Sequence, residues 1–366
     1  MKFLRHILCS VCFISLLFIG CEFYLAYRGV NLGAYEKLAF RRNLVPVYLR
    51  QAWDECGWGW ERGEYASEEN EQVIQRVGID GLRRSRTEID KKASGRVAIF
   101  GCSFTFGCGV EDEETFPYLL NERFSDTVFD NYGVSGFGAY QALLAMRHVL
   151  KQKRYNLVVY NMIPLHMTRN VDRRIWGNLK DNGVYKVQPY VELKNDQIIE
   201  HVSSSFSWPG ERHFLTINFF KRVWEAYTFN AYTAQVVKPQ SLEKVDSWEY
   251  KFNKLVREKI LGKDVVEIPE VAQLVKIQQM LVDEMYDLCR QNGSRFVVAI
   301  VDNNANLFAV GCKNLSKPYE CCCLDPLDSQ KAANRVKGLV SNHPGPPVHK
   351  AWADNFEPWL RDQGFK

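Results

Sequence analysis

The sequence predicts a three-layer α/β/α fold around a mostly parallel sheet. Apolar runs of strand length alternate with amphipathic runs of helix length over residues 96–169, and the alternation resumes near residue 271. Strands separated by helices of this kind are typical of parallel sheets that are covered on both faces. The length of 366 residues, with 46% hydrophobic and 25% charged residues, fits a globular chain with one large domain and an insertion, or with two small domains.

The first half of the fold reads strand, helix, strand, helix, strand. RVAIFG (96–101) is a buried-strand run, and residues 115–124 follow as a helix with Thr115 as its cap and Pro117 in its first turn. TVFDNYG (127–133) is the second strand. Residues 139–151 are predicted helical because their apolar side chains recur at helical spacing, and NLVVYNMI (156–163) is the third strand.

The second half of the fold begins after a long interruption. A long amphipathic helix starts at Val271 and ends at Asn292-Gly293, SRFVVAIVD (294–302) is the next strand, and residues 346–361 form a terminal helix. We therefore divide the chain into a leader (1–27), an N-terminal extension (28–95), an α/β domain (96–169 and 270–366) and an insertion (170–269). The aromatic-rich insertion suits a subdomain core or a lid.

The leader has the pattern of an export signal. Lys2 and Arg5 precede an uncharged run from Ile7 to Cys21. That run is short for a membrane-spanning helix, which needs about 20 apolar residues, unless it continues past Glu22. A signal-anchor and a cleaved signal both stay open, and the residues before Cys21 also resemble a lipoprotein cleavage site. The basic start predicts that the body lies on the extracytoplasmic (periplasmic) side, with the membrane as a partner.

Charge and cysteine content exclude several classes of protein. The net charge is +4, and the short basic cluster around Arg83 and Arg84 is typical of solvated surface, so we expect no nucleic-acid binding. Cys312 and the triplet 321–323 lie in a stretch that reads as a loop. They suit a disulfide or free thiols. We expect no metal site, because the stretch has no CxxC pair and no nearby histidine.

The stretch IFGCSFTFG (99–107) presents a serine directly after a strand. Parallel sheets collect their ligands at the carboxyl ends of their strands, so Ser103 lies where a nucleophile would lie, although a turn serine would also fit. The stretch resembles the first block of the SGNH (GDSL-type) hydrolase family, G-D-S-F-T-x-G, and agrees at six of seven positions. Cys102 replaces the aspartate of that block. The resemblance implies the flavodoxin-like α/β architecture of that family.

Two later stretches extend the resemblance, which then covers residues 96–361. DNYGVSGFGAYQ (130–141) is similar to the block that donates a backbone N–H to the oxyanion, and among Gly133, Gly136 and Gly138 we choose Gly136. VSNHPGPPVHKAWAD (340–354) is similar to the block that carries the histidine base, which would be His343. The resemblance thus implies Ser103 as nucleophile and His343 as base.

The sequence departs from the family pattern at two further places. Val340 and Ser341 stand where the triad acid is expected, so Asn342 or a backbone carbonyl would have to orient the histidine. The third block normally supplies an asparagine amide to the oxyanion, but Leu165-His166 stands there, and Asn161 is the remaining candidate donor. His166 and His349 are expected to be structural or to contact substrate.

The resemblance implies a serine ester hydrolase without a cofactor or metal. With the leader, it indicates O-acylated cell-envelope glycans or lipids as substrates. Two alternatives stay open: an O-acyltransferase acting on an envelope polysaccharide, and a non-catalytic binding protein of the same fold.

Overall fold

The protein is seen here in a computed structural model. It describes residues 2–27, 54–60, 62–67, 72–78, 80–86, 93–171, 175–177, 184–207, 271–302, 316–324 and 343–366. The chain divides into two compact units. The larger unit comprises Tyr48–Asp172, Pro189–Ser203 and Pro269–Lys366, and the smaller comprises Met1–Val47, Arg173–Gln188 and Ser204–Ile268. The predicted domain boundaries remain predictions, but the larger unit takes in part of the predicted extension and part of the predicted insertion.

A parallel sheet lies at the centre of the larger unit. Its strands are β3 (Gly95–Gly101), β4 (Thr127–Gly133), β5 (Leu157–Met162), β11 (Arg295–Ile300) and β12 (Glu320–Cys323). Their order is β12-β11-β5-β3-β4, and every neighbouring pair is parallel. The parallel sheet predicted from sequence is confirmed. The strand order reverses at β3, because the chain passes from β3 to one neighbour and then crosses to the other.

Helices cover both faces of this sheet. They are α2 (Ser103–Phe106), α3 (Phe116–Arg123), α4 (Ala139–Gln152), α5 (Leu165–Val171), α6 (Val271–Gln291) and α7 (Pro346–Asp362). Helices α3 and α7 share one apolar core with inward residues of β3, such as Val97 and Ile99. Helices α4, α5 and α6 pack against one another. The three-layer arrangement follows from the alternation of side chains along each buried strand.

The loop predicted around the cysteine triplet is wrong in one part. Residues Glu320–Cys323 form β12, an edge strand paired in parallel with β11. The reason is packing: Cys322 is half-buried against the apolar core, and burial raises the pKa of its thiol to about 12. Cys321 is disulfide-bonded. Cys312, which the sequence makes a candidate partner for one of the triplet, lies outside the described residues.

The N-terminal part of the larger unit adds a small hairpin. Strands β1 (Gly63–Ala66) and β2 (Ile74–Val77) pair antiparallel, and they follow a short 3-10 turn at Asp54–Cys56. A second hairpin joins β8 (Tyr190–Lys194) to β9 (Gln197–His201) through Asn195 and Asp196. Both turn residues have positive φ, as a tight hairpin turn requires.

The smaller unit contains the leader and part of the predicted insertion. Residues Lys2–Tyr27 form α1, a helix of 26 residues. Strands β6 (Ile175–Gly177), β7 (Val184–Val187) and β10 (Ser204–Ser207) form an antiparallel sheet in the order β10-β7-β6. Across the described part of the chain, no helix meets the combined length and apolarity needed to cross a membrane. Most of the aromatic residues predicted to build a lid or subdomain lie outside the described residues.

Candidate active site

Ser103 begins a single helical turn at the carboxyl end of β3, residues Ser103–Phe106, which we call the nucleophile turn. Cys102 is the residue before the helix, and Gly107 ends it in the left-handed conformation at φ 82°. The Gly107 N–H donates to the Ser103 carbonyl oxygen at 2.9 Å, which closes the turn. Only glycine adopts this φ without strain, so the second glycine of the motif is explained by backbone geometry. Ser103 itself is 5% exposed.

The turn rests directly on the end of β4. A Cβ atom on Gly133 would lie 2.2 Å from the backbone nitrogen of Phe106, so only glycine permits this approach. The Asn131 side chain fixes the same contact. Its amide nitrogen donates to the Thr105 carbonyl oxygen at 2.9 Å, and its amide oxygen accepts the Gly133 N–H at 2.9 Å.

The structure brings His343 to Ser103 across 240 residues of chain. The His343 Nε2 atom lies 2.8 Å from the Ser103 Oγ atom. Helix α7 holds the histidine in place: it begins with Pro346 and Pro347, and its buried residue Trp352 packs in the core shared with α3. The Phe104 ring meets the imidazole edge-on at 5.7 Å. The two residues chosen from sequence therefore lie within hydrogen-bonding distance of each other.

Of the three candidate oxyanion glycines, Gly136 has the available backbone N–H. The Gly133 N–H donates to Asn131, and the Gly138 N–H donates to the Gln141 side chain at 3.3 Å. Among the described residues, none accepts a hydrogen bond from the Gly136 N–H. The turn is docked beside the nucleophile, because Val134 N–H donates to the Gly101 carbonyl oxygen at 3.1 Å. The Ser103 N–H, as the first of a helix, has no intrahelical acceptor.

The Asn161 amide makes a hydrogen bond inside the protein and is not placed as an oxyanion donor. Its amide nitrogen donates to the Thr105 Oγ1 atom at 3.0 Å, and the side chain is 1% exposed. It therefore supports the back of the nucleophile turn instead of facing a substrate. Leu165 and His166, which stand where the resemblance predicts an amide donor, begin α5. The His166 Nδ1 atom lies 2.7 Å from the Tyr160 hydroxyl, and burial holds the pKa of His166 well below its usual range.

His349 is a buried packing residue. Its Nδ1 atom accepts the Phe116 N–H at 3.4 Å, and its ring lies 5.0 Å from the Trp352 ring. Burial lowers the pKa of His349 to about 3, with smaller contributions from Arg83 and His343. It is therefore neutral near pH 7 and, of the two roles expected of it, fits the structural one.

Cys102 belongs to the apolar core. It is 1% exposed and packs with the residues shared by α3 and α7. Its side chain makes no hydrogen bond to the start of α2, which an aspartate at a helix N-cap would do. Val340 and Ser341, where the resemblance predicts a triad acid, and Asn342, the alternative partner of His343, lie outside the described residues. No cluster of metal-ligating side chains occurs among the residues that the structure describes.

The sequence context of Arg83 predicts a solvated side chain, and the structure shows a buried one. Arg83, expected on a solvated surface, is fully buried, and its Nε donates to Asp112 at 2.6 Å. Its Nη2 donates to the Val110 carbonyl oxygen at 2.8 Å, and its guanidinium lies 4.6 Å from the centre of the Phe106 ring. It thus fixes the loop that follows Ser103. The run of acidic residues at 111–114 was the available signal, since a buried arginine needs a carboxylate.

Three solved structures show what the chain is similar to. TesA aligns at 12% identity and a TM-score of 0.34, over 73% of this chain and 98% of its own. A proposed acylhydrolase from Bacteroides fragilis aligns at 11% and 0.35, over 75% and 92%. A GDSL-like lipase from Bacteroides thetaiotaomicron aligns at 11% and 0.33, over 73% and 88%. At such low scores these likenesses carry no weight for the mechanism, which rests on the residues themselves.

The other comparisons found no match. No family model matches the chain, and no curated protein matches it.

Proposed function

We propose that the protein is a serine ester hydrolase of the SGNH type. The observation that carries this proposal is the 2.8 Å distance between His343 Nε2 and Ser103 Oγ at the carboxyl end of β3. A serine hydroxyl is a weak nucleophile near neutral pH and needs a base within hydrogen-bonding reach. The site also lies where the strand order reverses, which is where open α/β sheets bind ligands.

The geometry supports a two-stage acyl transfer. The Ser103 Oγ attacks the ester carbonyl carbon while His343 Nε2 takes the hydroxyl proton. The N–H groups of Ser103 and Gly136 would stabilise the negative oxygen of the tetrahedral intermediate. Collapse breaks the ester bond, and the alcohol leaves with the proton from His343. Water then attacks the acyl-enzyme with the same base, which releases the carboxylic acid and restores Ser103.

One alternative has an observation in its favour. Asn161 donates to Thr105 and not towards Ser103, so the site lacks the side-chain amide of the family pattern. Losing an oxyanion donor lowers the rate by about 10² to 10³ in known hydrolases. A non-catalytic binding protein of the same fold is consistent with that loss. An acyltransferase would use the same acyl-enzyme with a sugar hydroxyl in place of water.

Labelling with a fluorophosphonate and turnover of a short-chain p-nitrophenyl ester test the proposal. We expect the wild-type chain to react with both, and Ser103→Ala to lose both completely. His343→Gln should retain the fold and lower the labelling rate at least about 100-fold, because general base catalysis contributes about 10² to 10⁴. Ser94→Ala is a matched control, since Ser94 hydrogen-bonds Asp126 at the opposite end of β3. Absence of labelling and turnover in the wild type would contradict the hydrolase and favour the binding protein.

We also propose that α1 attaches the protein to a membrane and that the substrate is an acylated envelope glycan or lipid. The support is the uncharged run behind Lys2 and Arg5 and the exposed apolar side chains of α1, including Ile14 and Leu17. The full chain should float with phospholipid vesicles in a density gradient, and the double variant Ile14→Glu, Leu17→Glu should not. Cys21→Ser should float like the wild type if the helix is the anchor. Loss of flotation in Cys21→Ser alone would assign anchoring to lipidation instead.

A further inference from the structure

The aromatic cluster CGWGW packs against the turn that carries Gly136. Trp58 is 2% exposed, and its Nε1–H donates to the Ser135 carbonyl oxygen at 2.9 Å. The Trp58 ring also meets the Phe137 ring edge-on at 5.8 Å. Trp58 thus contacts the residues on both sides of Gly136, the proposed oxyanion donor.

The Trp58 Nε1–H donates to the peptide group that joins Ser135 to Gly136. The Ser135 carbonyl and the Gly136 N–H belong to one planar trans peptide, so they point in opposite directions. Holding the carbonyl on the indole therefore fixes the direction of the N–H. Donation to the carbonyl also polarises the peptide, which makes its N–H a better donor.

The turn would otherwise have a second available conformation. Phe137 N–H donates to the Val134 carbonyl oxygen at 3.2 Å, so residues 134–137 form a β-turn with Gly136 at its third position. The Gly136 φ of 84° is that of a type II turn. Type I and type II turns differ mainly in the orientation of the central peptide, which here is the Ser135–Gly136 peptide. Rotation of that peptide would turn the Gly136 N–H away from its present direction.

We propose that Trp58 is a positioning residue for the oxyanion hole, acting by holding the Ser135–Gly136 peptide in its type II orientation. This proposal rests on the proposed function, because it assigns Gly136 as the oxyanion donor. In this role Trp58 acts through the turn and not on the reacting atoms. Trp58 precedes the α/β motif in the sequence, so a segment outside that motif supports the backbone of the oxyanion hole.

The segment that carries Trp58 is itself anchored on two sides. The Gln141 side chain donates to the Cys56 carbonyl oxygen at 2.9 Å, at the start of α4. Trp60 stacks on Phe106 with ring centres 4.0 Å apart and an interplanar angle of 11°. Phe106 is the last residue of the nucleophile turn. Residues 56–60 therefore connect the nucleophile turn with the oxyanion turn, residues 134–137, through buried contacts.

The variant Trp58→Phe tests the proposal, because it keeps an aromatic ring and removes the Nε1–H. We expect kcat for a p-nitrophenyl ester to fall about 10-fold with KM changed less than about 2-fold, since a misdirected donor costs less than the 10² to 10³ of a deleted one. The fluorophosphonate labelling rate should fall by a similar factor. Replacement of Trp58 by 3-benzothienylalanine, which keeps the indole shape without the N–H, should give the same loss and guards against poor folding of the phenylalanine variant.

Trp359→Phe is the matched control. The Trp359 Nε1–H donates to Glu320 at 3.2 Å on the far part of α7, so this variant also loses an indole hydrogen bond. It should retain wild-type kcat and KM. The proposal is overturned if both Trp58 variants keep wild-type kcat and labelling, or if KM rises while kcat is unchanged. Ser103-dependent labelling of the wild type separates these outcomes from failure of the hydrolase proposal, which would abolish labelling in every variant.

Discussion

Two histidines near the start of α7 have different surroundings. The His343 Nε2 atom faces Ser103, whereas His349 is fully buried beneath Phe116 and Trp352. Burial removes the water that would stabilise an imidazolium, and it lowers the pKa of His349 to about 3. A histidine that stays neutral over the physiological range serves as a hydrogen-bond acceptor for the Phe116 N–H.

This difference predicts how stability depends on pH. The pKa of His349 is lower in the folded state than the usual 6.5, so between about pH 3 and pH 6.5 the unfolded chain binds a proton that the folded chain does not. Stability should therefore fall as the pH falls through that window, by up to about 1.4 kcal/mol per pH unit from this group. His166 acts in the same direction, because burial lowers its pKa too.

Urea unfolding of the wild type and His349→Asn between pH 4 and pH 7 measures the effect. Asparagine can still accept the Phe116 N–H but cannot be protonated, so the variant should show a shallower loss of stability on acidification. His148→Asn, a change on the outer side of α4, should keep the wild-type slope. Equal slopes for His349→Asn and the wild type would contradict the assignment.

At the scale of elements, the nucleophile turn depends on where α2 meets β4. The backbone of Phe106 occupies the space that a Gly133 side chain would need. Helix α2 is only four residues long, so its position is set by such contacts and not by its own stability. A small displacement of α2 would move the Ser103 hydroxyl away from His343.

Gly133→Ala tests this dependence. The added Cβ would lie 2.2 Å from the Phe106 backbone nitrogen, and a backbone atom cannot yield as a flexible side chain can. We expect esterase activity and fluorophosphonate labelling to fall by at least about 10²-fold, since misplacement of about 1 Å costs that much. Gly78→Ala is the control, because its nearest neighbour would be the Leu82 carbonyl oxygen at an ordinary 3.7 Å. Similar activities in both variants would contradict the prediction.

Strongly apolar elements were predictable from the sequence to within two residues. Strand Thr127–Gly133 has the predicted bounds, and α4 extends the prediction by one residue, to Gln152. The edge strand β12 was not predictable, because ECCC has no clear period and is held by pairing with β11. Pairing across the sheet is a long-range contact that a local pattern does not contain.

The candidate site could be predicted where the sequence resembles a short motif. Ser103 and Gly136 were chosen because the stretches around them resemble two family blocks, and in the structure Gly107 and Gly136 both have positive φ. The alternative that Asn161 faces the oxyanion could not be judged from sequence, since strand position alone does not say what its amide meets. Trp58 and Arg83 were missed as site residues because their partners lie far along the chain.

In the larger unit, residues that precede the sheet in sequence support the nucleophile loop, the segment 107–112 that follows the nucleophile turn. Arg83 and Asp112 form a buried ion pair, and Asp112 also accepts a hydrogen bond from the Arg76 backbone at 3.1 Å. The Gln75 side chain donates to the Gly107 carbonyl oxygen at 3.2 Å. The β1–β2 hairpin and the segment after it are therefore part of the folded body around Ser103, connected through charges removed from water.

Breaking this ion pair should destabilise the whole unit. Arg83→Met leaves Asp112 buried without its nearest cation, and removal of one partner of a buried pair typically costs about 3 to 5 kcal/mol. The double variant Arg83→Met, Asp112→Asn should recover part of that loss, because no uncompensated carboxylate remains. Arg84→Met is the matched control: its guanidinium lies 4.0 Å from Glu113 near the surface, where such pairs contribute less than about 1 kcal/mol. Urea unfolding curves measure the free energy of unfolding of each variant. If Arg83→Met lowers it no more than Arg84→Met does, the ion pair does not hold the N-terminal segment to the nucleophile loop.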